Sequence, residues 1–138
     1  AYTVPLDKAN VVREGTDISL IAYSAQVNQS LKVAEKLEKE GISVEVVDLR
    51  TWSPLDEETI LKSVQKTGRA VAIQEAQRQA GIAANVASLI AEKGALYLSA
   101  PVGRVYAPDT VYPFGLAEDD WLPAEDEIEA KTREILNY

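Results

Sequence analysis

Apolar residues follow two patterns that alternate along this chain. Short continuous runs are typical of strands, and spacings of three and four residues are typical of helices. Four strand candidates share short runs rich in β-branched residues, at 17–23, 43–49, 69–74 and 101–106. Four helix candidates share apolar positions three and four residues apart, at 25–40, 56–68, 81–93 and 125–136. Residues 9–13 favour a further edge strand. The alternation predicts one α/β domain over residues 1–138, with a mostly parallel sheet covered by helices on both faces.

Local signals place the ends of these elements. Asp56 is a good N-cap residue, and the two glutamates after it suit the positive end of a helix. Gly41, Gly68 and Gly94 each follow a helix candidate and are expected to end it. Residues 107–121 contain two prolines and a glycine, so they are predicted to be irregular.

The composition excludes several kinds of site. The chain has no cysteine and no histidine, which removes thiolate and imidazole chemistry and their metal sites. Neither common phosphate-binding glycine motif occurs. The net charge of −8 argues against nucleic acids and anionic membranes as partners, and a cytoplasmic location is the default expectation. Because methionine is absent, we expect a piece of a longer chain.

Polar side chains gather where the third predicted strand ends. Ligands of open α/β sheets bind beyond the carboxyl ends of the strands. The densest polar cluster at this edge, outside the acidic end, contains Gln74, Glu75, Gln77, Arg78 and Gln79. Glu75 and Arg78 could form an acid–base pair, but no partner base is visible. An interface or structural role is therefore the better interpretation.

The C-terminal end is acidic and aromatic. The segment from Ala117 to Tyr138 contains eight acidic residues and only two basic ones. This is either a solvated end or a surface for a basic partner. The aromatic residues at 106, 112, 114, 121 and 138 belong either to the core or to an interface.

Three strings carry a resemblance to a known family: VVDLRTWSPLDEETILKSVQKTGRAV at 46–71, QEAQRQAGIAANV at 74–86 and APVGRVYAPDTVYPF at 100–114. They resemble the C-terminal domain of the β subunit in the α2β2 pyruvate dehydrogenase family, among the thiamine diphosphate-dependent 2-oxo acid dehydrogenases. The strongest signal is D-L-R-T-x-x-P-L-D, Asp48 to Asp56. The resemblance covers essentially the whole chain and implies a three-layer α/β/α sandwich around a mixed five-stranded sheet.

The resemblance implies a supporting role in an oxidoreductase. The whole enzyme decarboxylates pyruvate and reductively acetylates a lipoyl group, using thiamine diphosphate and Mg²⁺ bound outside this domain. The domain would hold the α subunit and a second β subunit, and dock the peripheral subunit-binding domain of the dihydrolipoyl acyltransferase. No catalytic, cofactor or metal residue of the family maps onto this chain, so the chain alone is expected to be inactive.

The expected contact residues fall into two groups. Candidates for the subunit interface are Gln74, Glu75, Gln77, Arg78, Gln79, Tyr112 and Phe114. Candidates for acyltransferase docking are Asp109, Asp119, Asp120, Glu134 and Tyr138.

Some questions stay open at this stage. Many relatives carry Gly where Ser24 stands and His where Asn28 stands, which puts any role of that histidine in doubt here. The strings at 74–86 and 107–114 favour pyruvate, but branched-chain 2-oxo acid and acetoin dehydrogenases share the domain. A free-standing regulatory binding module of the same fold is a further alternative.

Overall fold

The computed structural model describes residues 1–138 and contains five strands and five α-helices. The strands are β1 (Asn10–Arg13), β2 (Ile18–Ala22), β3 (Val44–Asp48), β4 (Ala70–Gln77) and β5 (Gly103–Ala107). The helices are α1 (Ala25–Glu38), α2 (Glu57–Thr67), α3 (Ile82–Lys93), α4 (Glu118–Trp121) and α5 (Glu125–Leu136). Short 3₁₀ turns occupy Ala95–Tyr97 and Gly115–Ala117. None of the helices has the length and apolar character needed to cross a bilayer.

The sheet has the order β1-β3-β2-β4-β5, with β1 antiparallel to β3 and all other neighbours parallel. Helices α1 and α5 cover one face of it, and α2 and α3 cover the other. Strand β2 lies at the centre and is buried at every residue, because both of its faces meet helices. The predicted three-layer α/β/α fold with a mixed five-stranded sheet is confirmed.

Two apolar cores lie on opposite faces of the sheet. On the α1/α5 face the sheet contributes alternate residues, among them Ile18, Leu20, Val44 and Val46. On the α2/α3 face it contributes the residues between them, such as Ile21 and Val47. This alternation follows from the two-residue period of a strand, and it explains why the strand sequences are continuous apolar runs.

The predicted helix signals operate as expected, with small shifts. Asp56 caps α2 by accepting a hydrogen bond from the Thr59 N–H at 3.1 Å. Gly68 ends that helix in the left-handed conformation, with φ of 68°. Helix α1 ends at Glu38 rather than Glu40, because the N–H groups of Gly41 and Ile42 turn back to the carbonyls of Glu38 and Leu37.

Strand β4 runs to Gln77 and so is longer than predicted. Its pairing with β5 shifts register between Ile73 and Gln77, and the Glu75 N–H bonds instead to the hydroxyl of Tyr23 at 3.3 Å. A β-bulge of this kind keeps the strand extended while it releases local ladder bonds. The polar cluster of the sequence therefore lies on a strand end and loop, and α3 begins only at Ile82.

Candidate docking surfaces

The crevice at the carboxyl edge of the sheet is filled by this chain's own side chains. Strands β2 and β4 are neighbours whose connections leave in opposite directions, which is where open α/β sheets commonly bind ligands. Here the Tyr23 ring is buried, and Trp52 packs edge-on against it with ring centroids 4.7 Å apart. Burial raises the pKa of the Tyr23 hydroxyl above its ordinary value. The usual ligand position is therefore partly occupied by these two rings.

A hollow of about 530 Å³ opens beside this aromatic pair. Its lining includes Tyr2, Val4, Ser24 and Arg50. Ser24 and Arg50 both have positive φ, at 54° and 57°, a conformation that non-glycine residues rarely adopt. No group of three or more acidic side chains converges here or elsewhere in the chain.

Gln74 is completely buried and organises the loop after β4. Its Nε2 lies within hydrogen-bonding distance of the carbonyl oxygens of Ala76, Gln77 and Ala80, at 3.2, 2.7 and 2.6 Å. Its Oε1 accepts the Ala83 N–H at 2.8 Å, at the start of α3. A Cβ at position 81 would lie 2.5 Å from that oxygen, so Gly81 is required there.

This burial revises one interface candidate. A side chain with no exposed surface cannot touch a partner, so Gln74 acts inside the domain. Sequence reasoning took it for a surface residue because a glutamine among polar neighbours is usually exposed. The geometry instead makes it the support on which the exposed residues of the loop are held.

The rest of the polar cluster contacts the loop after β5. The Gln77 amide donates to the Thr110 carbonyl at 3.2 Å. The Gln79 backbone N–H donates to the Asp109 carboxylate at 3.1 Å, and its side-chain amide lies 3.4 Å from the other carboxylate oxygen. Asp109 was predicted as a docking residue, but its carboxylate is engaged by its own chain. The two loops thus form one surface at the β4–β5 end of the sheet.

Two arginines lie over one tyrosine on this surface. The guanidinium carbon of Arg78 is 5.9 Å from the centroid of the Tyr106 ring, and that of Arg104 is 5.3 Å from it. Arg104 also donates to the Arg78 carbonyl at 3.3 Å. The sequence analysis singled out Arg78 and named Tyr106 among the aromatic residues, but it missed Arg104 and the contact between the three. The spacing of Arg104 and Tyr106 in strand β5, two residues apart, was the available signal, because it puts both on one face.

An exposed aromatic segment continues from there. Tyr112 packs edge-on against Trp121 at 5.0 Å and near Phe114 at 6.2 Å. The indole N–H of Trp121 donates to the Thr110 hydroxyl at 3.0 Å. The Glu118 carboxylate beside Tyr112 raises the pKa of that phenol to about 12. Trp121 is half-buried against its own chain, whereas Phe114 is 90% exposed, so an interface role stays a prediction for Phe114.

The acidic end is divided by its ion pairs. Glu125 and Glu129 pair with Lys32 and Lys36 of α1, so they bind two helices together. Glu134 pairs with Lys131 on its own helix. The exposed carboxylates of Asp119 and Asp120 have no basic partner within 4 Å, and neither do those of Asp126 and Glu127. The Tyr138 side chain is 69% exposed.

Comparison of the sequence with known proteins identifies its family. The transketolase C-terminal domain model matches residues 7–128. The pyruvate dehydrogenase E1 component subunit beta of Bacillus subtilis is 58% identical over 137 residues, which are 99% of this chain and 42% of that protein. The same subunit of Staphylococcus aureus is 56% identical over the same coverage. The chain thus spans less than half the length of these curated relatives.

Solved structures with a similar fold are found as well. The split gene transketolase, solved as an inactive beta4 tetramer, has a TM-score of 0.84 and 26% identity, over 99% of this chain and 43% of that one. A 2-oxoglutarate:ferredoxin oxidoreductase from Magnetococcus marinus has a TM-score of 0.60 and 11% identity, over 94% of this chain and 19% of that one. The second likeness concerns the fold alone.

Proposed function

This chain belongs to the transketolase C-terminal domain family, and we propose that it works as the C-terminal domain of a pyruvate dehydrogenase β subunit. The observation that carries the proposal is the 58% identity over 99% of the chain, which aligns it with the C-terminal part of that subunit. Within the enzyme the domain associates subunits and docks a partner. The filled crevice beside Tyr23 supports a role of this kind.

Little in this chain supports a thiamine diphosphate site. Tyr23, with Trp52 against it, narrows the crevice between β2 and β4, and neither common phosphate-binding glycine motif occurs. In the proposed enzyme thiamine diphosphate and Mg²⁺ bind outside this domain, and the cofactor supplies the carbanion chemistry of decarboxylation. A branched-chain 2-oxo acid or acetoin dehydrogenase would use the domain in the same way.

The surface at the β4–β5 end of the sheet is the proposed subunit interface. Its members are Glu75, Gln77, Arg78, Gln79, Tyr112 and Phe114. They share a support in the buried Gln74 and the hydrogen bonds between the two loops, so they are held before a partner arrives. Preorganised contacts lose less entropy on binding. The α subunit and a second β subunit are the proposed partners.

We propose that the acidic end docks the acyltransferase's basic subunit-binding domain. Helix α5 has twelve residues, so its two ends lie about 18 Å apart. Asp119 and Asp120 lie before its first turn, and Glu134 and Tyr138 lie at its last. We propose the docking point at the second end, where the exposed Tyr138 ring can cover an arginine of the partner. Asp119 and Asp120 are then free for another contact.

A domain exchange tests the proposal. This chain would replace the C-terminal domain of the Bacillus subtilis β subunit, which would then be produced with its α subunit. We expect an α2β2 assembly that decarboxylates pyruvate at a rate within about tenfold of the parent enzyme. The matched control carries the corresponding domain of the split gene transketolase, which is only 26% identical. Failure of our chimera to assemble, with the isolated chain folded, would reject the proposal.

The regulatory-module alternative has its own discriminating observation. The hollow beside Ser24 and Arg50 is the place where a small regulatory ligand would fit. Chemical shifts of these two residues, followed while a library of metabolites is added to the chain, would report such binding. The cytoplasmic location stays a prediction from the sequence.

A further inference from the structure

The lining of the hollow beside Tyr23 combines two opposite charges with aromatic rings. Asp48 and Arg50 supply the charges, and Trp52 and Tyr2 supply rings that are 54% and 89% exposed. The hydroxyl of Tyr23 is already used inside the domain, so that residue offers only its ring. The volume of about 530 Å³ lies within the range of about 300–1,000 Å³ that is typical of small-molecule sites.

Asp48 and Arg50 neutralise each other only loosely. The Arg50 Nε lies 3.8 Å from the Asp48 Oδ2, whereas a charge-assisted hydrogen bond measures about 2.7–2.9 Å. The Arg50 guanidinium donates no hydrogen bond within the chain, and the other oxygen of Asp48 accepts only the Arg50 backbone N–H, at 3.1 Å. Both charged groups therefore keep hydrogen-bonding capacity for a ligand.

The backbone holds these two side chains in a fixed arrangement. Arg50 has a φ of 57°, and Ser24, which also lines the hollow, has a φ of 54°. This conformation costs free energy in a non-glycine residue, so it persists where surrounding contacts enforce it, and such positions are frequent at ligand sites. At Arg50 the enforcing contact is the bond from its N–H to Asp48. The guanidinium and the carboxylate are thus presented together on one turn.

We propose that the hollow binds a free α-amino acid with an aromatic side chain. The carboxylate of the ligand pairs with Arg50, its ammonium group pairs with Asp48, and its ring packs against Trp52 and Tyr2. A simple anion on Arg50 would lie beside the like charge of Asp48, and a simple cation on Asp48 would lie beside Arg50. An α-amino acid avoids both repulsions, because its two opposite charges are attached to one carbon.

Three related ligands test this pairing. L-phenylalanine carries both charges, 3-phenylpropionate lacks the ammonium group, and phenethylamine lacks the carboxylate. Isothermal titration calorimetry measures their binding to the unaltered chain, and fluorescence of Trp121→Phe, in which Trp52 is the only tryptophan, reports binding at the hollow. We expect L-phenylalanine to bind at least about tenfold more tightly than either analogue, because each analogue loses one charge-assisted contact.

Two substitutions assign each charge of the ligand to a residue. Asp48→Asn should weaken the binding of L-phenylalanine at least about tenfold without weakening that of 3-phenylpropionate, which has no ammonium group to lose. Arg50→Gln should weaken L-phenylalanine similarly without weakening phenethylamine. The matched controls Asp7→Asn and Lys39→Gln remove exposed charges elsewhere and should bind like the unaltered chain. Circular dichroism confirms that each variant is folded.

Several results would overturn the proposal. One is the absence of saturable L-phenylalanine binding to the folded chain, and another is equal binding of the three ligands. Binding of 3-phenylpropionate as tight as that of L-phenylalanine would make the hollow a simple anion site. An equal loss of binding in the control variants would place the ligand elsewhere. The inference does not rest on the proposed subunit role, and the domain exchange measures assembly, so the two proposals can fail separately.

Discussion

At the scale of single residues, the most informative position is a glutamine whose role its sequence neighbours concealed. Gln74 stands among polar residues, which predicted exposure, but its two polar atoms lie within hydrogen-bonding distance of four backbone groups, at the end of β4, in the loop after it and at the start of α3. Neutral hydrogen-bonding groups in a core are well tolerated only when they are paired. The polar cluster could be located from the sequence. Which of its members faces inward depends on the loop path, which no local pattern encodes.

We predict that Gln74→Leu destabilises the domain by about 3 kcal/mol, because it leaves the Ala83 N–H and the three loop carbonyls without their partner. Urea unfolding followed by circular dichroism measures this. Gln65→Leu is the matched control, since Gln65 is exposed on α2 and makes no side-chain hydrogen bond. Equal unfolding midpoints for the two variants would contradict the clamp role of Gln74.

A second residue-scale prediction concerns pH. Burial alone would raise the pKa of Asp56, but hydrogen bonds from Thr59 and from the Ala9 N–H lower it overall. A lowered pKa in the folded state contributes stability that is complete above about pH 5 and is lost as pH falls through the folded pKa. Asp56→Asn should therefore cost about 1 kcal/mol at neutral pH, and the difference from the unaltered chain should shrink toward pH 3.

Urea unfolding at a series of pH values measures this difference directly. Asp7→Asn serves as the comparison, because Asp7 is exposed and accepts no hydrogen bond within the chain. A constant difference between the Asp56 variant and the unaltered chain across the series would show that the charge of Asp56 contributes nothing.

At the scale of elements, the apolar periodicity predicted the parallel strands and α5 well and the segment after β5 poorly. Helix α5 is found at Glu125–Leu136, as predicted, because its apolar residues recur at helical spacing over three turns. Helix α4 has only four residues, too few to show a period, so Glu118–Trp121 was predicted to be irregular. The segments that follow the neighbouring strands β4 and β5 contact each other. Contacts of this kind cannot be predicted from the spacing of residues in the sequence.

The packing of α1 against α5 gives a prediction at this scale. Glu129 pairs with Lys36 on α1 and with Arg133 on its own helix. Arg133 also forms a bidentate ion pair with Glu40, with N–O distances of 2.8 and 2.7 Å. These partners hold the pKa of the Glu129 carboxyl below its ordinary value. Glu129→Gln should destabilise the domain by about 1 kcal/mol at neutral pH, and by less below about pH 4.

The neighbouring variant Glu127→Gln is the matched control, since Glu127 is exposed on the same helix and has no basic partner. Thermal unfolding of both variants at low and high salt measures the contribution. Identical melting temperatures for the two variants at low salt would show that the ion pairs between the helices are not stabilising.

At the scale of the whole molecule, the net charge of −8 does not describe one acidic surface. Glu125 and Glu129 attach α5 to α1, whereas Asp119, Asp120, Asp126 and Glu127, which have no basic partner, lie before that helix or in its first turn. The net charge and its concentration in the final residues can be read from the sequence. The structure distinguishes the carboxylates that are paired within the fold from those without a basic partner.

Deleting Asn137 and Tyr138 should weaken docking of the acyltransferase's subunit-binding domain by about tenfold to a hundredfold without unfolding the chain. The deletion removes the exposed Tyr138 ring, a predicted docking residue, and truncating an aromatic hot-spot residue costs about 2 kcal/mol or more. The last buried residue of α5, Ile135, remains, so the core is kept. Surface plasmon resonance against the isolated basic domain measures the change.

The salt dependence and a second variant separate a local contact from a general attraction. Asp119→Asn/Asp120→Asn changes the charge of α4, which precedes α5, while the proposed docking point lies at the far end of α5, about 18 Å from that helix's first residue. Exposed charges separated by more than the Debye length, which is about 8 Å in physiological salt, are largely screened from each other. This variant should therefore change mainly the association rate, and only at low salt. We therefore expect this variant to dissociate from the basic domain at the unaltered rate, whereas the truncated chain dissociates faster in both salts. If both variants bind like the unaltered chain, docking uses neither end of α5. If the α4 variant alone is weakened, the docking point lies at the first end of the helix.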